Sequence, residues 1–245
     1  MNTAERQADL MRRDRHDPRK THRFFDDFIT MAIDDTTLDP SAWEIIQDAG
    51  ATGQIGPKDG KGGWFQVYCD GDDNDECYAA SRSESFIFNT TAPLLFEARV
   101  LMTKGTTDGK SGFILGLSDV VAANSILDAG TLMASFDGAL FFKGEDGAYI
   151  RFSTSNAATA VNNTTLKAFT DAMTVRLGFY YDPNDLVTAY VTPLVNGIGG
   201  TAQALTISGL EEMHILLGVK TFETGNEPHL DVDWVEVIQR RVDFA

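Results

Sequence analysis

His229-Leu230-Asp231-Val232-Asp233-Trp234-Val235-Glu236-Val237-Ile238-Gln239 is the stretch that decides the fold. It reads as a strand rich in β-branched residues and carrying carboxylates. Near the other end, Phe24-Phe25-Asp26-Asp27-Phe28 reads the same way. The two flank a long run of further short strands with no strong helix between them. They are expected to lie side by side and close the fold.

Working inward, the two-residue period of half-buried strands dominates. Phe96, Ala98, Val100 and Met102 alternate with Glu97, Arg99 and Leu101. Phe113, Leu115 and Leu117 alternate with Gly112, Ile114 and Gly116, and Val175, Leu177, Phe179 and Tyr181 with Thr174, Arg176 and Gly178. Further strand-like runs are 63–69, 84–88, 132–136, 139–143, 148–153, 186–191, 204–207 and 213–221. Turn residues separate them, among them Asp137-Gly138, Asp182-Pro183-Asn184-Asp185 and Asn196-Gly197. Short strands at this spacing, without helical crossovers, make an antiparallel sandwich or barrel. Residues 119–130 are the best candidate for a helical turn. The runs 49–63, 103–111 and 153–163 read as loops.

Sixteen Phe among 245 residues supply the bulk to fill the space between two sheets. The net charge is −16 and it is unevenly spread. Residues 1–23 hold seven basic side chains, Arg6, Arg12, Arg13, Arg15, Arg19, Lys20 and Arg23, against four acids. The chain thus divides into a basic arm, residues 1–23, and an acidic domain, residues 24–245. A body so acidic repels nucleic acid and anionic membranes, so neither is an expected partner. No stretch is long and apolar enough for a membrane span or a secretory leader, so a soluble protein made in the cytosol is expected. Cys69 and Cys77 flank an acidic loop; two reduced thiols are expected rather than a disulfide framework.

The arm has few apolar side chains and cannot order itself. A short helix from Thr3 to about Arg13 is expected, with Pro18 ending anything longer. Its arginines suit carboxylates, either on a neighbouring subunit or on its own acidic body.

Several pieces resemble concanavalin A-like jelly rolls, the lectin/glucanase and laminin G-like sandwiches, especially those carried by tailed-phage virion proteins. Phe25-Asp26-Asp27-Phe28 followed by Trp43 is similar to the opening strand and its partner. Phe96-Glu97-Ala98-Arg99-Val100 and Gly112-Phe113-Ile114-Leu115-Gly116-Leu117-Ser118 resemble two inner strands. Val175–Asp182 resembles the strand before a hairpin to Thr188-Ala189-Tyr190-Val191, and Asp231-Val232-Asp233-Trp234-Val235 the closing strand. The resemblance spans about residues 24–241. It implies an all-β fold: an antiparallel two-sheet jelly-roll sandwich preceded by an extended arm. Fold alone does not give function.

Glycosidases of this fold carry an E-x-D-x-x-E in which two carboxylates flank the scissile bond. Asp231, Asp233 and Glu236 imitate it with a shorter first residue. In a regular strand 231 and 233 share a face while 236 points the other way, so a bulge is required to bring 236 round. No catalytic residue is assigned on this ground. Asp70, Asp72, Asn74 and Glu76 space oxygens as a calcium loop does, although the EF-hand pattern lacks its Gly and its final Glu. Trp64, Tyr68 and Tyr78 are candidates for stacking a sugar, with Tyr149, Tyr180 and Tyr190 behind them. No zinc spacing, phosphate-binding loop or serine elbow occurs.

The expected function is therefore non-enzymatic. The resemblance implies a virion structural protein, such as a capsid decoration or minor head protein of a tailed phage. It would dock through its arm on a major capsid protein or other virion subunits and form a homo-oligomer. The alternative is a carbohydrate-binding module, free or on a virion, and a glycoside hydrolase stands third.

Overall fold

The computed structural model describes residues 11–28, 33–34, 37–38, 43–48, 53–58, 63–107, 109–156, 162–183, 186–193, 201–204 and 211–241. In chain order the strands are β1 (Thr21–Asp26), β2 (Ile33–Asp34), β3 (Thr37–Leu38), β4 (Trp43–Gln47), β5 (Gln54–Pro57), β6 (Phe65–Tyr68), β7 (Glu76–Ser81), β8 (Leu94–Thr103) and β9 (Ser111–Ser118). There follow β10 (Gly138–Lys143), β11 (Tyr149–Ser155), β12 (Asn162–Ala168), β13 (Met173–Asp182), β14 (Leu186–Pro193), β15 (Thr201–Ala204), β16 (His214–Thr221) and β17 (His229–Arg240). The first sheet has the order β15-β14-β13-β8-β17-β6-β5, with β1 also paired to β17. The second has the order β12-β11-β10-β9-β16-β7-β4, and β2 and β3 pair with each other.

The closing strand organises the first sheet. Along one edge β17 pairs with β8, from His229↔Thr103 to Gln239↔Leu94. Along the other edge its first part pairs with β6 and its second part with β1, in register from Thr21↔Arg240 to Asp26↔Val235. The two ends of the fold are adjacent strands, as the sequence implies.

One buried cluster draws on the inner faces of both sheets. Phe96 and Phe179 stack at 5.1 Å within the first sheet. Phe179 then reaches Phe141 at 6.1 Å and Phe152 at 5.6 Å in the second. This is where the phenylalanines are used: large rings span the inter-sheet space and offset pairs add to their area burial.

The outer face of the second sheet is also covered. Tyr78, Ile114, Leu140, Phe142 and Leu216 form a second apolar cluster with Ile126, Leu132, Met133 and Phe136 of the connection between β9 and β10. With both faces buried, every residue of β7, β9 and β10 is buried.

Several expectations need correction; residues 49–63, read as a loop, contain the strand β5. Residues 119–130 are turns and bends rather than helix, because their Ile126 and neighbours gain more by packing flat on a sheet than by forming an isolated turn. Residues 132–136 contribute only an isolated bridge, Ile126↔Leu132, and 84–88 only Phe86↔Met213. Trp43 does not pair with the opening strand. It begins β4 in the second sheet, paired to β7, and meets β1 across the core through an indole Nε1–H donated to Asp26 Oδ2 at 2.8 Å. The sheet already begins at Thr21, inside the expected arm.

Candidate functional site

The outer face of the first sheet is built by alternation. On β6 and the residue before it, Phe65 and Val67 enter the core, so Trp64, Gln66 and Tyr68 line the opposite face. All three are half-buried. The backbone positions of Trp64 and Tyr68 are about 13 Å apart at the usual rise per residue, with the Gln66 amide between them.

Cross-strand neighbours supply a polar frame. Gln66 Nε2 donates to Asp231 Oδ1 at 2.8 Å and lies 3.4 Å from His229 Nδ1. Lys58 Nζ donates to Asp231 Oδ2 at 2.6 Å. The His229 ring meets that of Tyr68 edge-on at 5.4 Å. Burial lowers the pKa of His229, and burial raises that of the Tyr68 phenol. The guanidinium of Arg99 lies 5.2 Å from the centre of the Trp64 ring and pairs with Asp233.

The bulge that the D-x-D-x-x-E reading requires is present. The register of β17 against β8 shifts between Val232 and Trp234, leaving Asp233 as the extra residue. Val232 and Val235 therefore both face the core, and Asp231 and Glu236 share the outer face. Yet each carboxylate is engaged. Asp231 is held by Lys58 and Gln66, Asp233 by Arg99, and Glu236 by Arg23 at 2.6 Å and Arg15 at 3.6 Å. None is left facing a bond laid across the face.

The N-terminal segment completes this surface. Residues 11–14 are helical and lie on the same outer face. Met11 is buried against Leu95, Tyr180 and Ile238. Arg12 forms a bidentate pair with Glu97, its Nε 2.9 Å from Oε2. Arg176 lies 3.6 Å from the same Glu97. Of the seven arm cations, Arg12, Arg15 and Arg23 reach carboxylates of the body. Arg19 and Lys20 pair within the segment, with Asp17 and Asp14. Arg13 is exposed, and Arg6 lies outside the described residues.

Of the four candidate calcium ligands of the acidic loop, Glu76 is turned away to other partners. Glu76 starts β7 and turns under the covering connection, where it accepts from Tyr78 Oη at 2.6 Å, from the Asn124 backbone N–H and from Lys220 Nζ at 3.3 Å. Asp75 instead hydrogen-bonds Asp70; burial, followed by that contact, pushes its pKa up to about 7. Among the described residues no group of three or more His, Cys, Asp or Glu side chains is placed to hold a metal ion.

Tyr78 must also be struck from the sugar-stacking set. It is fully buried, and its hydroxyl both donates to Glu76 and accepts from Ile126 N–H at 3.2 Å. Its ring lies over Gly218, directly opposite in β16, where any Cβ would collide with it. Of the three secondary aromatics, Tyr180 is buried, Tyr149 is exposed, and the Tyr190 side chain lies outside the described residues. Cys69 and Cys77 are both free and buried, and burial pushes the Cys77 thiol up to about 12.

Sequence reasoning missed Gln66, His229, Lys58 and Arg99. Strand alternation from Trp64 does place Gln66 between the two rings. Nothing in the sequence pairs Lys58 with Asp231.

No family model matches the chain, and no curated protein matches it. Solved structures do. A protein of unknown function from Shewanella oneidensis MR-1 is 11% identical, covering 90% of this chain and 87% of that one, with a TM-score of 0.61. Peanut lectin is 13% identical over 89% of this chain and 97% of its own, with a TM-score of 0.58. An endo-1,3-beta-glucanase from Streptomyces sioyaensis is 11% identical over 91% and 97%, with a TM-score of 0.57. At these identities the likeness concerns architecture: the chain has the jelly-roll fold of concanavalin A-like lectins and glucanases.

Proposed function

We propose that the protein is a non-enzymatic carbohydrate-binding module whose site is the outer face of the first sheet around Trp64, Gln66 and Tyr68. The observation that carries this reading is the pairing of two half-buried rings on one strand face with a frame of fixed donors and acceptors. A pyranose presents an apolar C–H face and a rim of hydroxyls. Rings take the first, and Gln66, Lys58 and His229 take the second, with the buried carboxylate of Asp231 holding Gln66 and Lys58 in place. The ion pairs of Asp231, Asp233 and Glu236 support binding over hydrolysis, because they fix the frame and occupy the carboxylates a glycosidase would need.

Glycan-array binding by the full chain tests this, paired with incubation of a β-1,3-glucan to look for released sugar. Binding without release is expected. Release of sugar that is lost on Glu236→Gln would make the protein a hydrolase.

A second reading is favoured by a separate observation, the arginine-bearing segment beside an acidic body. In it the protein is a structural component of a virion, a capsid decoration or minor head protein of a tailed phage. The segment would serve as the docking arm, and the glycan face would be displayed outward. An image of the native assembly decides this: copies arranged in a symmetric shell support it, and a free protein removes it.

A further inference from the structure

Arg99 and Arg176 stand directly opposite each other on β8 and β13. Their strand neighbours Ala98, Val100, Val175 and Leu177 enter the core, so both guanidinium groups belong to the outer face of the first sheet. Like charges directly across a sheet repel and weaken the pairing unless something neutralises them. The chain neutralises this pair incompletely. Arg99 has Asp233. The Glu97 carboxylate nearest Arg176 is already held in the fork of Arg12 and lies 3.6 Å from Arg176, beyond hydrogen-bond range. Three arginines thus share two carboxylates here, on a chain whose net charge is −16.

Arg99 Nε and Arg176 Nε are both buried, and neither has a hydrogen-bond partner among the described residues. A buried donor left without an acceptor costs free energy. Each side chain nevertheless keeps part of its surface open, 32% for Arg99 and 37% for Arg176. An oxyanion entering between the two supplies acceptors to both and cancels their repulsion. The pair is also continuous with the aromatic face. Across the sheet the strands run β6, β17, β8, β13, and the Arg99 guanidinium lies 5.2 Å from the centre of the Trp64 ring. From Trp64 to Arg176 is three strand spacings, about 14 Å, a distance that a short oligosaccharide spans. On the side away from residues 11–15, the next outward residues of β8 and β13, Leu101 and Thr174, are only half-buried.

We propose that the saccharide bound on this face is an acidic one, with its acid group held between Arg99 and Arg176 and a neighbouring ring on Trp64. The inference rests on the carbohydrate-binding reading and narrows it to a ligand class. A sugar carboxylate and a sulfate ester share the chemistry required, an oxyanion edge that matches the guanidinium fork. A neutral sugar leaves both guanidinium groups as they stand in the free protein, opposed and short of acceptors.

The test probes an array of neutral, uronate-containing and sulfated glycans with the full chain. The bound glycans are expected to be acidic; uronates would identify a carboxylate, and sulfated glycans a sulfate ester, as the group held. The tightest acidic glycan is then titrated beside its carboxyl-reduced or desulfated counterpart. The acidic form should bind the natural chain about tenfold tighter or more, and Arg176→Gln should bring the two affinities together. A preference retained in folded Arg176→Gln overturns the inference. So does equal binding of the two forms by the natural chain, a comparison that needs no variant. Binding confined to neutral glycans overturns the inference and leaves the carbohydrate-binding reading standing, whereas an array with no bound glycan removes both.

Discussion

The two outer faces of this sandwich are both covered by the chain itself, but by opposite means. The second sheet is covered by residues 119–136, which bury Ile126, Leu132, Met133 and Phe136 on an apolar face. The first is covered in part by residues 11–15, which neutralise buried acids and bury one Met. The hydrophobic cover is non-directional and buries β7, β9 and β10 on both faces, leaving Tyr149 and Arg151 of β11 exposed. The ionic cover is directional and partial, and it leaves Trp64, Gln66 and Tyr68 half-buried further along the face, on the strand paired to the first part of β17.

The largest effect should come from breaking the apolar cover. Phe136 is fully buried, so Phe136→Ala is expected to cost about 3–5 kcal/mol. Urea unfolding measures it, and the cost should be the same at low and high salt. Glycan binding on the far face should persist in the folded fraction.

Next comes a buried ion pair beneath that cover. Glu76 and Lys220 have side-chain exposures of 0% and 1%, and Lys220 also reaches Asp128 at 2.7 Å and Asn124 at 3.1 Å. Removing one partner of such a pair costs about 3 kcal/mol or more, whereas replacing both by apolar groups is often close to neutral. Glu76→Leu should therefore lower the melting temperature markedly, and the double change Glu76→Leu with Lys220→Met should recover most of the loss. A double variant as weak as the single one would mean that the polar clamp, rather than apolar packing, holds the connection down.

The ionic cover should give a smaller and salt-sensitive response. Arg12→Ala leaves the Glu97 carboxylate without its fork and is expected to cost about 1–3 kcal/mol. Because Arg12 is 24% exposed, the difference from the natural chain should shrink as salt rises. An unchanged difference at high salt would assign the effect to packing of the arginine stem.

The smallest effect concerns the acidic loop. The folded pKa of Asp75, about 7, lies above its ordinary value of 3.8. The folded state therefore binds more protons than the unfolded one between those values, and stability from this group falls as pH rises through about 7. The melting temperature of the natural chain should fall by a few degrees between pH 5 and pH 8 relative to Asp75→Asn, in which the carboxyl is gone. Parallel pH curves for the two would show that Asp70 and Asp75 do not share a proton.

The same contrast explains what could be read from the amino acids. Strands with one polar face, such as β8 and β17, display their period directly, and the adjacency of β1 and β17 follows from it. Strands buried on both faces do not: in β9 the residues between Phe113, Leu115 and Leu117 are Ile114 and Gly116, and nothing in them says what lies above. The cover over that face looked like a helical turn because Ile126 and Leu127 sit among small residues, and local spacing cannot reveal a tertiary partner. The bulge at Asp233 was identifiable only as a condition for one motif to work. Trp64 and Tyr68 were legible as aromatics on a strand, whereas Tyr78, two residues into the next strand, differs from them only in being under the connection. The arm's charge was plain, and its seat between Glu97 and Glu236 required knowing that those residues are opposite each other.

The central claim is that the open part of the ionic face recognises sugar. It is tested most directly by calorimetric titration of the tightest array glycan into the natural chain, Trp64→Ala and Tyr149→Ala. Tyr149 is 45% exposed on the second sheet and serves as the control ring. The account predicts at least a tenfold loss of affinity for Trp64→Ala, with its melt nearly unchanged, and no loss for Tyr149→Ala. Undiminished affinity in Trp64→Ala, or a loss confined to Tyr149→Ala, would contradict it.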